Sequence, residues 1–498
     1  MLRRRALLVA AILMPSLAAA QPVQNIVLRN SFNPTGAGAR GLGMGGAFIG
    51  VADDGTAASF NPAGLALLRR TELAAVGFRS SLEVNRNDAL SSRNVVETTS
   101  HGRPDFLGLA VPFGLAGRNL TVQLSYQRAV DLFGTGSATT VDIVPFRDLR
   151  IGAAGNAQVV GQIAPEQSGA FNTATISAGY QATQRLLLGF SLNYWFADWT
   201  ARGNTTFTIS TLPNPPARST TLRTETRTFE QEQSLRALNL NVGLLLKYPR
   251  LSIGAIARLP FSGRYALDET GTQVTVEAGR AAVPTPANVQ MSSTLAWPFT
   301  GGLGIAVRPI TGMTLAADYS KAYWSRATLA GVVDGALLTP QDAAVDGVQP
   351  APSFTDRNFF DLNAASVTTT DDTSQFRAGA EYLITLPKLV IPLRAGVYRD
   401  RSPVLDLNKD QGRQIRGFTF GTGLNFTRFV FDLAFEQRKS EGVVGIQSRR
   451  GQGQSTASIE NVEDRRIVAS IIFRFGEDDP VKRALRALFV GPPEKSDN

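Results

Sequence analysis

Apolar and polar residues alternate one by one in segment after segment of this chain, and that rhythm constrains its fold more than anything else in the sequence. Leu186, Leu188, Phe190, Leu192, Tyr194 and Phe196 share one face, with Gly189, Ser191, Asn193 and Ala197 on the other. The same pattern runs through Leu120, Val122, Leu124 and Tyr126, and through Leu238, Leu240, Val242, Leu244 and Leu246. It returns at Phe376, Ala378, Ala380 and Tyr382, at Phe418 and Phe420, at Phe429, Phe431, Leu433 and Phe435, and at Ile467, Ala469, Ile471, Phe473 and Phe475. Successive side chains of a strand point to opposite sides, so each segment reads as a strand that is greasy on one face and small or polar on the other.

The spacing of the segments says how they close. Strands are expected near 72–84, 103–113, 119–131, 169–181, 185–200, 234–248 and 250–263, then 290–308, 313–326, 374–384, 390–400, 416–427, 428–438 and 465–475. The gaps alternate: short ones hold turn residues (GLAGRN, QATQR, YPR, PITG, TLPK), and long ones lie between, near 132–168, 201–233 and 327–373. Short periplasmic turns, long outer loops and an even strand number are the rule for outer-membrane barrels. The pattern therefore predicts an all-β fold, a 14-stranded antiparallel transmembrane β-barrel spanning residues 71–475. In MSSTLAWPFTGGLGIAVRP, Pro298 interrupts one strand; reading two strands there would give an odd count, so a single strand kinked at Pro298 is expected. Tyr126, Trp195, Trp199, Tyr248, Tyr319, Trp324, Tyr382 and Tyr398 are candidates for the interfacial aromatic girdles.

Composition supports an exported protein. Arg3, Arg4 and Arg5, an apolar run and Ala18-Ala19-Ala20 have the three-part pattern of a signal peptide over 1–20, whose removal takes the formal charge from +9 to +6. With no cysteine there is no disulfide, thiol nucleophile or thiolate metal site; neither metal nor cofactor is expected. The arginines are scattered rather than clustered with aromatics, which argues against nucleic acid and for contact with outer-membrane lipid and lipopolysaccharide headgroups. His101 is the sole imidazole and no G-x-S-x-G elbow lies near it, so a rim histidine is expected and catalysis is not.

Gly41, Gly43 and Gly46 match G-x-G-x-x-G, the spacing of a dinucleotide-binding turn. The context does not fit: breakers precede the motif, and Asp53 and Asp54 arrive too early for a ribose contact. The small residues between Ser31 and Arg70 instead suit close backbone packing, and a compact segment over 21–70 is expected to plug the barrel lumen. After the last strand, 476–498 reads as a periplasmic tail in which Asp479 caps a short basic amphipathic helix starting at Pro480, with Leu485, Leu488 and Phe489 on its apolar side.

GLGMGGAFIGVADDGTAASFNPAGLALL resembles the N-terminal hatch of the FadL/TodX outer-membrane transport family, with its glycine-rich lead, acidic turn and Asn-Pro-Ala. TGGLGIAVRPITGMTLAADYSKAYWS and LRAGVYRDRSPV resemble later stretches of the same family, so the likeness spans most of the chain. It implies a hatch-gated barrel, expected to be a monomer, through which hydrophobic small molecules, long-chain fatty acids or aromatic hydrocarbons, pass by diffusion, with lateral escape at a kinked strand. The hatch and gating candidates are Gly43, Gly45, Gly46, Asp53, Asp54, Asn61, Pro62 and Ala63, with Pro298 as the kink. The apolar loop stretches LAGVVDGALL (329–338) and RNFFDLNAA (357–365) are candidates for the outer lip of a greasy groove. The alternative is a structural or secretion-accessory barrel that docks protein partners, as PorV-like proteins do.

Overall fold

A computed structural model describes residues 32–33, 35–87, 94–135, 138–148, 153–211, 221–277, 282–286, 288–335, 353–358, 371–406, 411–444, 458–476 and 479–482. The signal-peptide stretch and the tail beyond Lys482 lie outside them.

The strands form one closed antiparallel barrel of 14 staves. In chain order these are β1 (Glu72–Asn87), β2 (Asn94–Leu115), β3 (Arg118–Asp131), β4 (Ala153–Gln181), β5 (Leu186–Thr211) and β6 (Thr221–Lys247). Three staves in two pieces follow: β7a (Leu251–Arg258) and β7b (Phe261–Glu277), β8a (Val289–Trp297) and β8b (Thr300–Val307), β9a (Met313–Ala322) and β9b (Thr328–Gly335). The circuit ends with β10 (Thr373–Leu386), β11 (Leu389–Asp406), β12 (Gln411–Asn425), β13 (Phe429–Val444) and β14 (Ser458–Arg474). Register from Glu72↔Arg474 to Arg86↔Glu460 joins β14 back to β1 and leaves the barrel without an edge. Closure matters because every backbone group of a spanning strand needs a partner inside hydrocarbon.

The alternation read from the sequence sets the faces. Leu124, Phe190, Leu238, Leu303, Phe376, Phe420, Leu433 and Ile467 are all exposed on the outside and together wrap an apolar band around the wall. Among the described residues no helix is long and apolar enough to cross a membrane.

Two expectations are corrected. Among the described residues the long gaps are largely strand: β4 has 29 residues and β6 has 27, where about 9–11 suffice to cross the hydrocarbon. The extensions keep one buried parity, but it holds polar residues such as Thr205, Arg227, Gln231 and Gln233 as well as Ala201, Ile209 and Phe229, so their sequence carries no apolar–polar alternation to read. Of the girdle candidates, Tyr248, Tyr319 and Tyr382 are exposed on the wall, but Trp199, Trp324 and Tyr398 are buried, and Trp195 packs on the same interior cluster as Trp199. Period-2 alternation assigns a side to a residue, and Trp195, Trp199 and Tyr398 sit on the inward parity, while Trp324 lies in a 3-10 turn.

Candidate functional site

Residues 35–71 occupy the bore. The segment folds without strands: a helix α1 (Ala39–Gly43), a 3-10 turn at Ala57–Ser59 and another at Pro62–Leu67. Asn61 is extended and caps the last turn, its side chain accepting from the Ala63 amide while Pro62 takes the first helical position. Its Nδ2 donates to the carbonyls of Ile49 and, on β6, Leu244, both at 3.0 Å. Gly45 and Gly46 turn the chain at φ of 68° and 75°, values that L side chains adopt with strain. Gly43 lies against Gly421 of β12 and the Arg394 side chain.

A belt of glycines on the inward face lets this segment sit backbone to backbone against the wall. Gly179, Gly189 and Gly243 are in register across β4, β5 and β6, Gly254 faces Gly304 across β7a and β8b, and Gly379 faces Gly396 across β10 and β11. A Cβ on Gly179 would lie 2.7 Å from the Ala66 nitrogen, and one on Gly189 or Gly243 would overlap Ala63 or Asn61. On β9a, Asp318 replaces glycine and accepts from the Phe48 and Ile49 amides at 2.7 and 2.8 Å.

Charge ties the other flank. Arg40 of α1 makes a bidentate pair with Glu381 of β10, both bonds 3.0 Å, and reaches Asp53 at 2.6 Å and Asp54 at 3.3 Å. Glu381 also receives Arg394 at 2.7 Å, and Arg394 bonds Asp432 at 2.7 Å. Asp54 further accepts from the amide and hydroxyl of Thr56, which closes the acidic turn. Beside this network a cavity of about 100 Å³ is lined by Asp105, Arg377, Glu436, Arg438, Asp464 and Arg466. His101 belongs here: it lies within β2, not in a rim loop, bonded to Asp131 and set against the rings of Phe78 and Phe133.

The opposite flank is interrupted. At one height, three neighbouring staves break: at Leu259–Pro260, at Pro298–Phe299, and at the 3-10 turn Trp324–Arg326. Register places the ends together, with Phe261↔Trp297 above the gap and Arg258↔Thr300 and Thr300↔Ala322 below it. Pro298 lacks a donor, so the ladder cannot run through it. Inside the break lies a cavity of about 70 Å³ walled by Phe32, Trp195, Arg258, Phe261, Trp297 and Pro298 and floored by Ala58 and Ser59. Outside it lies a groove of about 460 Å³ along Val242, Leu244, Ala257, Phe299, Leu303 and Tyr319. Above the inner cavity, Phe171, Trp199, Tyr265, Trp297, Trp324 and Leu329 belong to one buried cluster rich in aromatic rings. Leu329 thus points into the bore rather than forming a lip; 336–338 and 359–365 lie outside the described residues.

The structure therefore gathers Gly43, Gly45, Gly46, Asp53, Asp54, Asn61, Pro62 and Ala63 in the bore and puts Pro298 in the wall. Arg40 of α1 and Glu381, Arg394 and Asp318 of the strands were not among the predicted site residues, because a single charge looks like any other polar residue until its partner is known. On the tail, Asp479 accepts from the Val481 and Lys482 amides at 3.0 and 3.2 Å.

No family model matches the chain, and no curated protein matches it. Among solved structures it is similar to a FadL homologue of Pseudomonas aeruginosa, with 13% identity and a TM-score of 0.54 over 89% of this chain and 99% of that one. The toluene transporter TodX of Pseudomonas putida follows at 15% identity and 0.52, over 89% and 98%. The toluene transporter TbuX of Ralstonia pickettii gives 14% and 0.50, over 89% and 100%. The FadL/TodX likeness read from the sequence holds at the level of fold.

Proposed function

We propose that the protein lets hydrophobic small molecules diffuse across the outer membrane, with the bore closed by the 21–70 hatch and exit through the wall. The carrying observation is the break in three adjacent staves, which has a cavity of mixed aromatic and polar lining on its inner side and an apolar groove on its outer side. A closed barrel with no route other than its bore would release an apolar solute into water; an interrupted wall offers it lipid instead. Molecules of the kind that TodX and TbuX are named for, or longer fatty acids, fit that chemistry. Asn61, Pro62, Ala63 and the glycines of the hatch act in this reading as its anchor, and the hatch as a fixed stopper beside which substrate moves. The docking alternative draws on no comparable feature among the described residues.

The reading is tested by uptake of labelled oleate and of toluene into cells with and without the gene. Faster entry of either with the gene is expected. Ala257→Trp, which fills the outer groove from a small, half-buried position in its lining, should slow it while leaving a folded barrel. Equal entry with and without the gene sinks the proposal.

A further inference from the structure

One end of the barrel carries a single sign of charge. The short turns at 116–117, 182–185, 248–250, 308–312, 387–388 and 426–428 hold or adjoin Arg118, Arg185, Arg250, Arg308, Lys388 and Arg428, and none of them contains an aspartate or glutamate. Arg185, Arg250, Lys388 and Arg428 are exposed, and the other two are half-buried. The plug leaves the bore at the same level: Arg69 and Arg70 are exposed, and the carbonyl of Thr71 accepts from the Phe475 amide just past β14. Among the described residues none of these cations pairs with a carboxylate. The acids toward this end, Glu72, Glu381 and Asp432, are buried and hold Arg474 and Arg394, and Asp479 caps its own turn. Farther up the staves both signs occur and meet: Arg202 with Glu166, Arg236 with Asp198, Lys439 and Arg465 with Glu463. Cations scattered along the sequence are thus one ring in the fold, because antiparallel staves bring every second connection to the same end.

We infer that this ring binds anionic phospholipid headgroups of the periplasmic leaflet, with the exposed Arg185, Arg250, Lys388 and Arg428 as its main contacts. Short turns mark the periplasmic end of such a barrel. Depth decides for lipid over a soluble acidic protein. Close to each cation in the chain stands an exposed apolar residue of the outer band: Leu115, Leu188, Tyr248, Val307, Leu386 and Phe429. The Arg185 guanidinium lies over the Tyr248 ring, 5.2 Å from its centre, as expected of a side chain whose stem covers apolar surface while its head reaches the polar layer. The charge therefore sits where acyl chains give way to phosphate. Turns as short as 116–117 and 387–388 have no length with which to carry a cation past the headgroups to a soluble partner. All but Lys388 are arginines, whose planar fork matches phosphate oxygens. The ring ties the end where the plug emerges to one leaflet and fixes the depth of the barrel there. This holds whatever passes through the wall.

Spin-labelled lipids read the contact directly. The full-length barrel is reconstituted in phosphatidylcholine vesicles with a trace of spin-labelled phosphatidylglycerol or spin-labelled phosphatidylcholine, and the motionally restricted fraction gives the association of each label with the protein. Phosphatidylglycerol should associate about fivefold more strongly, the gain of roughly one cation per bound lipid. The preference should vanish at about 1 M salt, where the screening length is about 3 Å. Arg185→Gln, Arg250→Gln, Lys388→Gln and Arg428→Gln together should bring the ratio close to one. Arg202→Gln, Lys439→Gln and Arg465→Gln together, which remove cations from the other end, should leave it unchanged. Retention of the heat-dependent gel shift of folded barrels certifies the variants; if the rim variant fails it, Lys388→Gln with Arg428→Gln replaces it and should lower the ratio part of the way. Equal association of the two labels with the unaltered protein overturns the assignment in favour of an acidic soluble partner. A preference that survives the folded rim variant also overturns it. So does one lost in the far-end variant instead, which would move the anionic contact to the lipopolysaccharide side.

Discussion

The two flanks of the bore hold the same plug by different means. Against β10–β13 the contact adds charge to the glycine packing of Gly379 and Gly396: Arg40, Glu381, Arg394 and Asp432 form one chain of pairs. Against β4–β8b it is neutral, backbone against backbone over Gly179, Gly189, Gly243, Gly254 and Gly304. The neutral flank is also the one whose wall is broken. Charged pairs in low dielectric are demanding in geometry, since removal of one partner strands the other, so the ionic flank fixes position. Close packing without directional bonds resists compression but tolerates small slides. The contrast teaches that the plug is located from one side and merely fitted on the other, beside the route proposed for substrate.

The largest test strikes the ionic flank. Arg394 and Asp432 have side chains 3% and 2% exposed, and Asp432 makes its hydrogen bond to Arg394 alone among those described. Arg394→Met should destabilise the folded barrel by about 3–5 kcal/mol, because a buried carboxylate is left behind. Denaturant unfolding followed by gel mobility measures it. Arg40→Met should cost less, since Glu381 keeps Arg394. If the two variants lose the same amount, the network does not work as a chain and the comparison between flanks fails.

A second test strikes the neutral flank. Gly189→Leu puts a branched side chain where a bare Cβ already overlaps Ala63 and Pro62. Overpacking of this sort costs about 1–3 kcal/mol, and here the plug is the part that gives. Barrel unfolding should shift modestly, while ion conductance across a planar bilayer rises. Gly114, with nothing within 4 Å of its Cβ position, is the control: Gly114→Ala should change neither. A closed, non-conducting Gly189→Leu barrel would mean that the glycine belt is not what seats the plug.

How much of this could be read beforehand follows from where each signal comes from. The outward alternation was legible because lipid demands apolar residues at every second position, and Phe190, Leu238 and Phe420 meet that demand without exception. The break at Pro298 was legible because proline cannot donate. Leu259–Pro260 carries the same signal inside the strand expected over 250–263, whereas Trp324–Arg326 has no proline and shows its meaning only beside the other two breaks at the same height. Gly189, Gly243 and Gly304 were visible as small inward residues, yet nothing local says that a backbone lies against them. Trp195 and Trp199 misled for a related reason: the bore contains its own apolar cluster, so an aromatic near a strand end does not by itself face lipid.

The smallest expected effect decides whether the neutral flank has any directional hold. Asn61 supplies it: one oxygen caps the Pro62–Leu67 turn and one nitrogen bridges Ile49 of the plug to Leu244 of β6. Asn61→Ala removes the cap and the bridge together, a loss of about 0.5–2 kcal/mol by the usual cost of a cap. Because the bonds lie within the plug and between plug and wall, the loss should fall on the plug and spare the barrel. Amide exchange at Ala63 and Ile49 should therefore quicken severalfold while exchange in β5 and β6 stays as it was. If β6 exchanges faster as well, the neutral flank holds the wall as much as the plug, and slides beside the break are not free.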